Sequence, residues 1–144
     1  MYRKIEEWKL LRVCDGDTFV VRWQGMDMRC RLMGIDAPED GQPGFREALE
    51  SLQELMASPA IAMWVRGSDR YGRWLVDVLF PAGESVQEVL LWTGVVWADP
   101  RSTGYLRGSM IQARACKAKR GIWASFSSEP PWKFRSRRHA HTIK

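Results

Sequence analysis

Residues 8–39, WKLLRVCDGDTFVVRWQGMDMRCRLMGIDAPE, decide how the chain folds. The ranges 8–13 and 18–23 within them are rich in Val, Leu and aromatic residues, a composition that predicts two β-strands. Gln24-Gly25 follows the second strand at once and predicts a hairpin turn. Two strands that are adjacent in the chain and joined by short turns favour an antiparallel sheet.

A third strand is predicted over residues 28–35, where apolar and polar side chains alternate. Because strand side chains alternate between two faces, Cys30 falls on the apolar face, and Arg29 and Arg31 fall on the other. The next residues, 36–44, contain two Pro and two Gly and predict a loop. The segment therefore places arginines on a strand that runs into an acidic loop.

The rest of the chain continues with helices and strands. The predicted elements are a helix at 45–56, strands at 61–65 and 73–80, a helix opened by the capping box Ser85-Val-Gln-Glu88 and ended by Gly94, and a third helix at about 103–120. This order is typical of an α+β, mainly β fold, a partly open five-stranded barrel of the OB type with three helices. We expect one domain over residues 1–123 and a basic, flexible tail over residues 124–144.

Composition excludes several kinds of chemistry. The chain has 144 residues, a formal net charge of +5, two histidines and three cysteines. Both histidines, His139 and His141, lie near the C-terminus, so a Ser-His-Asp triad or an H-E-x-x-H zinc site is not expected. Cys14, Cys30 and Cys116 are too scattered for a zinc cluster or a disulfide framework. Any catalysis must therefore use carboxylates, arginines, lysines, tyrosines or a hard metal ion.

The net charge is the sum of two unlike parts. Residues 1–100 carry 11 basic and 16 acidic residues, and residues 101–144 carry 11 basic residues and one acidic residue, so their net charges are −5 and +10. The basic run at residues 130–138 has two interpretations. It is a solvated, disordered end, or it is an electrostatic arm that binds nucleic acid, with Trp132 or Phe134 stacking on bases.

Three short motifs carry the candidate chemistry: D-G-D-T at residues 15–18, R-L-M-G-I-D-A-P-E at residues 31–39, and D-R-Y-G-R at residues 69–73. Taken singly, each is an ordinary turn or a solvated loop. In this order and spacing, together with a last helix that ends in Gly121-Ile-Trp123, the chain resembles the staphylococcal nuclease (thermonuclease) family. The resemblance covers about residues 8 to 123.

Two aspartates are the candidate metal ligands. Asp17 and Asp36 lie at strand ends that a small barrel brings together, and two close carboxylates repel unless a cation joins them. Oxygen ligands without His or Cys favour Ca²⁺ or Mg²⁺. The resemblance implies Ca²⁺, with Asp17, Asp36 and the backbone carbonyl of Ala37 as ligands. It also implies that Asp15 orients water around the ion.

Arg31 and Arg73 are the candidate phosphate ligands, because a guanidinium group binds phosphate oxygens through two hydrogen bonds and keeps its charge. The resemblance implies that they flank the scissile phosphate and that Glu39 acts as the general base or orients the attacking water. A hydroxide held by the cation is the alternative base. Arg70 and Tyr71 are expected to bind substrate.

Two aromatic residues are further candidates for substrate binding. The family usually has tyrosines after the second helix, where bases bind, and here that region contains Trp97 and Tyr105. Core packing is the favoured interpretation of Trp97, and base stacking is the alternative.

The resemblance implies a Ca²⁺-dependent, sugar-nonspecific nuclease. Such an enzyme cleaves the 5′ P–O bond of DNA and RNA, preferring single strands, and leaves 3′-phosphate ends. The alternative is an OB-fold module that binds nucleic acid without cleaving it. We expect a monomer. We also expect no membrane partner, because no stretch reaches the roughly 18 apolar residues of a membrane helix. The first residues carry no apolar signal segment, so the chain as written is expected to be cytoplasmic, although family members are often secreted.

Overall fold

The computed structural model describes residues 2–125 and 128–142, with side chains to residue 140. Its elements, in chain order, are β1 (Arg3–Ile5), β2 (Lys9–Val13), β3 (Thr18–Trp23), β4 (Met26–Leu32), β5 (Ile35–Asp36), α1 (Phe45–Met56), β6 (Ala62–Ser68), β7 (Trp74–Leu79), α2 (Val86–Thr93), β8 (Trp97–Ala98), α3 (Tyr105–Lys117), a 3₁₀ turn (Gly121–Ala124) and α4 (Pro131–Thr142).

The strands form a mixed sheet and a small antiparallel pair. Six strands hydrogen-bond in the order β1-β6-β7-β4-β3-β2, and β5 pairs with β8. β4 and β7 run parallel, and the other neighbours are antiparallel. The sheet is not a closed barrel, because β1 and β2 remain as its two edges among the described residues. The α+β class is confirmed, whereas the predicted number of five strands and three helices is wrong.

The N-terminal hairpins form as the sequence predicts, except that the third strand, predicted over residues 28–35, is divided into β4 and β5. β3 pairs with β4 in a continuous register from Thr18 opposite Arg31 to Trp23 opposite Met26. Cys30 is fully buried and Arg29 is exposed, so the predicted alternation of the two faces is confirmed. This alternation directs the β4 arginines away from the core.

The first two helices also begin and end where local signals place them. α1 covers the predicted residues 45–56 and buries Ala48, Leu52 and Met56 against the sheet. Ser85 caps α2 by accepting a hydrogen bond from the Glu88 backbone N–H, at 3.0 Å. Gly94 ends α2 in the left-handed conformation, which glycine adopts without steric cost. The buried residues of these helices belong to the same hydrophobic core as the sheet.

The C-terminal segment differs from the expected tail. Residues 131–142 form helix α4, whose residues Trp132 and Arg135 contact the domain. Four residues of the predicted tail, Phe126, Ser127, Ile143 and Lys144, lie outside the described part of the chain. The flexibility predicted for residues 124–144 stays a prediction, but the described part of this segment has a defined place next to the acidic loop.

Two absences apply to the residues that the structure describes. Cys14, Cys30 and Cys116 are all free. No helix in the described ranges is both long and apolar enough to cross a membrane.

Candidate active site

The turn between β2 and β3 presents one carboxylate to the site and holds it by hydrogen bonds. Asp15 Oδ1 accepts a hydrogen bond from the Asp17 backbone N–H at 2.9 Å, which fixes the turn. Asp17 Oδ1 accepts from the Thr18 hydroxyl at 2.8 Å, and its Oδ2 accepts from the Ala37 backbone N–H at 2.8 Å. Asp17 therefore joins the turn to the loop that follows β5.

Gly16 allows this turn to pack closely on its neighbours. A Cβ atom at this position would lie 2.5 Å from the Ala48 Cβ and 2.8 Å from the Ala37 Cβ, distances that real Cβ atoms do not adopt. The absence of a side chain therefore brings the acidic turn against helix α1 and the residue after Asp36.

Asp36 is the second carboxylate of the site and is almost completely buried, with 1% of its surface exposed. It ends β5, which pairs with β8 through Asp36 opposite Trp97. Arg31 on β4 lies between the two carboxylates. Its Nη2 is 3.8 Å from Asp17 Oδ2 and 3.7 Å from Asp36 Oδ1. The structure thus brings Asp17, Arg31 and Asp36 together, as the sequence predicts.

A second arginine, which the sequence reasoning did not select, binds the same carboxylate. Arg135 on α4 donates from Nη2 to Asp36 Oδ2 at 2.8 Å and from Nη1 to Asp36 Oδ1 at 3.0 Å. Its Nη1 also donates to Glu39 Oε1 at 2.7 Å. One guanidinium group therefore connects Asp36 and Glu39 across almost a hundred residues of sequence.

Arg101 is a third guanidinium group near Asp36. Its Nη2 lies 3.9 Å from Asp36 Oδ2, and its Nε donates to Asp99 Oδ1 at 3.1 Å. The hydrogen bonds from Arg101 lower the pKa of Asp99, although burial of that carboxyl group acts in the opposite direction. Asp99 therefore stays charged and holds Arg101 beside the site.

The carboxylates of the site lie close together and away from water, which disfavours their charged forms. Burial and, to a smaller extent, the negative charge of Asp17 together raise the pKa of Asp15 to about 7. Burial also raises the pKa of Asp36, and the charge of Asp17 adds to that effect, while Arg135 and Arg31 oppose it. A positive charge bound among these groups would relieve this repulsion.

Arg73 lies just before β7, the strand that pairs with the strand of Arg31. The register of this parallel pair sets Arg31 opposite Leu75, two residues beyond Arg73. Asp69 holds Arg73 in place, since its Oδ2 accepts from Arg73 Nε at 2.7 Å and its Oδ1 accepts from the Arg73 backbone N–H at 3.0 Å. Arg73 is thus aligned by a carboxylate in its own turn, at the start of the strand beside that of Arg31.

The predicted substrate-binding residues of this turn face solvent. Tyr71 is 70% exposed, and the guanidinium groups of Arg70 and Arg73 lie 5.1 and 5.8 Å from the centre of its ring. These cation–π contacts place an aromatic face beside two positive charges at the rim of the site.

The other two aromatic candidates lie in different surroundings. Trp97 packs edge-on against Trp123 and Trp132, with ring centres 4.3 and 5.8 Å apart. Such a cluster matches the core-packing interpretation of Trp97. Tyr105 begins α3 and is 39% exposed.

The donor set fits a hard divalent cation. Asp17 and Asp36 each direct one oxygen toward the same Arg31 nitrogen, so the two carboxylates converge, and Ca²⁺ prefers carboxylate, carbonyl and water oxygens. Within the described ranges, no group of three or more His, Cys, Asp or Glu side chains is arranged to hold a metal ion. Waters and a backbone carbonyl such as that of Ala37 would have to complete the coordination.

The fold and these side chains define a small α+β domain whose acidic, arginine-lined site is suited to phosphate esters. A family model described as "Staphylococcal nuclease homologue" matches residues 29–125. This match covers well over half of the chain, and the chain belongs to the staphylococcal nuclease family. The resemblance stated from the sequence motifs is thereby confirmed.

Individual relatives agree with this assignment. An uncharacterized endonuclease of Escherichia coli O157:H7 is 32% identical over 130 residues, which cover 90% of this chain and 85% of that protein. A micrococcal nuclease of Shigella flexneri is 29% identical over 138 residues, covering 88% of this chain and 79% of that protein. A staphylococcal-like nuclease of Arabidopsis thaliana is 34% identical over 107 residues, 74% of this chain and 33% of that protein. The family and these relatives support a nuclease.

Proposed function

We propose that the protein is a Ca²⁺-dependent, sugar-nonspecific nuclease that acts as a monomer. It hydrolyses the 5′ P–O bond of DNA and RNA, prefers single strands, and leaves 3′-phosphate ends. The observation that carries the proposal is the convergence of Asp17 and Asp36 on Arg31, with Glu39 joined to the same cluster. Acidic and guanidinium groups in one site match the needs of phosphodiester hydrolysis, which requires a held nucleophile and stabilised negative charge.

Asp17, Asp36 and the carbonyl of Ala37 are the groups that would hold the cation. Bound there, Ca²⁺ would supply positive charge that stabilises the charge developing on a phosphate oxygen. Asp15 fixes the turn that carries Asp17, and its carboxylate is placed to orient water near the ion. These roles rest on the oxygen-only donor set and on the raised pKa of Asp36.

Arg31 and Arg73 bind the scissile phosphate. A guanidinium group stays protonated and can donate two parallel hydrogen bonds to phosphate oxygens, so each arginine stabilises the transition state more than the ground state. Asp69 acts as a positioning residue, because its carboxylate fixes the Nε side of Arg73 and leaves the terminal nitrogens for substrate. Arg70 and Tyr71 bind the adjoining nucleotide at the rim.

Glu39 accepts the proton of the attacking water or orients that water. Its side chain is 34% exposed, which leaves it open to solvent on one side, and its backbone N–H is held by Gln42 Oε1 at 2.9 Å. The loop thus keeps a carboxylate at the edge of the arginine-lined site, within reach of a water next to the phosphate.

The test is a digest of single-stranded DNA and of RNA in Ca²⁺, in Mg²⁺ and in excess chelator, followed by analysis of the product ends. We expect cleavage of both polymers in Ca²⁺, no cleavage in chelator, and 3′-phosphate ends. Cleavage that persists in chelator, or 5′-phosphate ends, would contradict the proposal. Binding of single-stranded DNA without cleavage in either cation would instead support the non-catalytic module.

A further inference from the structure

Helix α4 lies against the acidic site, although no step of the proposed reaction needs it. Trp132 packs edge-on against Trp97, and Arg138 Nη1 donates to the Asp40 backbone carbonyl at 3.1 Å. Between these two contacts, Arg135 reaches Asp36 and Glu39. The helix therefore brings a positive charge to the position where the proposed reaction needs a cation and an open carboxylate.

The guanidinium group of Arg135 binds both oxygens of the Asp36 carboxylate. Both oxygens of Asp36 accept hydrogen bonds from it, at 2.8 and 3.0 Å, and Asp36 retains only 1% exposure. The same group takes one oxygen of Glu39 at 2.7 Å. Both terminal nitrogens of Arg135 are thus bound to carboxylates, so they are not directed at a phosphate.

We propose that Arg135 and the divalent cation are alternative partners of Asp36, so that α4 closes the site until it is displaced. The proposal rests on Asp36 being a cation ligand, as in the proposed function. Two positive charges a few ångströms apart at a buried carboxylate repel strongly, because little water lies between them to screen the interaction. Arg135 is the arginine that hydrogen-bonds both Asp36 oxygens, at 2.8 and 3.0 Å, whereas Arg31 lies 3.7 Å away. A cation bound through Asp36 therefore requires the release of Arg135.

The way α4 is attached allows such a release. No strand pairing joins α4 to the domain among the described residues. Pro131 is buried at the start of the helix and Trp132 is half-buried, whereas residues 136–140 are exposed. Arg135 and Arg138 join the helix to the acidic loop through side-chain hydrogen bonds. The segment before it is held by Gln42, whose Nε2 donates to the Glu129 carbonyl at 2.6 Å. A nucleic acid would favour release as well, because Lys133 and Arg137 are exposed on the helix and attract phosphates.

The experiment is a calorimetric titration of the full chain with Ca²⁺, without nucleic acid, comparing the wild type with Arg135→Gln. Lys133→Gln is the matched control, since it removes one positive charge from an exposed position of the same helix. We expect Arg135→Gln to bind Ca²⁺ about tenfold more tightly than the wild type, or about 1.4 kcal/mol. Lys133→Gln should stay within about twofold of the wild type.

A second measurement follows α4 directly in the unaltered protein. Hydrogen–deuterium exchange of the backbone amides of residues 131–140 should speed up when Ca²⁺ is added, while exchange in β3 and β4 stays slow. Circular dichroism of Arg135→Gln confirms that the sheet remains folded in the variant.

The outcomes separate this proposal from the proposed function. Equal Ca²⁺ affinity in the wild type and in Arg135→Gln would overturn the competition and leave the cation assignment standing. Exchange in α4 that stays unchanged at saturating Ca²⁺ would overturn it too. Failure of every variant, including Arg135→Gln, to bind Ca²⁺ would overturn both proposals together.

Discussion

The two sides of the acidic site are built in different ways. On one side, Asp17 receives hydrogen bonds from the Ala37 backbone and from Thr18, and its own turn is fixed by Asp15. On the other side, Arg135 is held by side-chain hydrogen bonds to Asp36 and Glu39. The first side is part of the sheet, whereas the second lies on a helix that no strand pairing secures in the described chain.

This difference separates what must be rigid from what can move. Groups that hold a cation and a phosphate must keep their geometry to within a fraction of an ångström, and buried backbone hydrogen bonds provide that. A group that has to leave before the reaction is better placed on an element with few buried contacts. In the two proposals, groups on the sheet side carry out the chemistry, and α4 controls access of the cation to the site.

The largest effect should come from an arginine on the sheet side. Arg73→Ala removes a phosphate ligand while leaving the carboxylates in place, so we expect kcat on single-stranded DNA to fall by about 10²–10³. Arg46→Ala is the control, because Arg46 is an exposed arginine on α1 with a loose ion pair to Glu50. Activity of Arg73→Ala near that of the control would remove Arg73 from the reaction.

The second largest effect should come from a glycine on the sheet side. Gly16→Ala places a Cβ within 2.5 Å of the Ala48 Cβ, so the turn and α1 must separate, at a cost of about 1–3 kcal/mol in unfolding free energy. Gly67→Ala is the comparison, since a Cβ there meets no atom within 4 Å. Urea unfolding measures both variants, and equal midpoints would show that the turn is not packed as described.

A smaller effect is expected from the exposed charges of α4. We test these charges with the triple variant Lys133→Ala, Arg137→Ala, Arg138→Ala. Its affinity for a single-stranded oligonucleotide should depend less on salt, so that the magnitude of the slope of log association constant against log salt concentration decreases by roughly 2. Fluorescence anisotropy at several salt concentrations provides the slope. An unchanged slope would mean that the basic face of α4 takes no part in substrate binding.

The smallest effect concerns the turn that positions Arg73. Burial alone would raise the pKa of Asp69, but the hydrogen bonds that Asp69 accepts from Arg73 and Tyr71 outweigh burial and lower this pKa below 3.8 in the folded state. The stabilisation is therefore present above pH 4 and disappears as the pH falls through the lowered value. We expect the unfolding free energy of Asp69→Asn to be lower than that of the wild type by less than about 1 kcal/mol at pH 7, and this difference to shrink toward pH 2. A loss that is independent of pH would contradict this.

Local signals in the sequence predict the sheet side of the site well. The limits of α1, the Ser85 cap and the turn at Gly94 all follow from residues within a few positions of each other. The convergence of Asp17 and Asp36 is predictable in part, because Asp17 directly precedes β3 and β3 pairs with β4, which ends four residues before Asp36. The pairing of β5 with the distant β8 is not a local signal.

The features that the sequence does not predict depend on distant contacts. β1 has only three residues, and its partner β6 lies some sixty residues further along the chain. β8 has two residues, too few for a periodic pattern. Arg135 stands in a basic segment without a strong apolar face, and no nearby residue signals that its partner is Asp36. Arg135 is one of eleven basic residues in residues 101–144, and nothing in the sequence distinguishes it from the others.

A crystal structure of the chain grown with Ca²⁺ tests the central claim most directly. The account predicts an ion coordinated by Asp17 and Asp36, with Arg135 more than hydrogen-bonding distance from both Asp36 oxygens. An ion at that position with Arg135 still bound to Asp36 through both terminal nitrogens would contradict the account, as would an ion bound at a different place on the molecule.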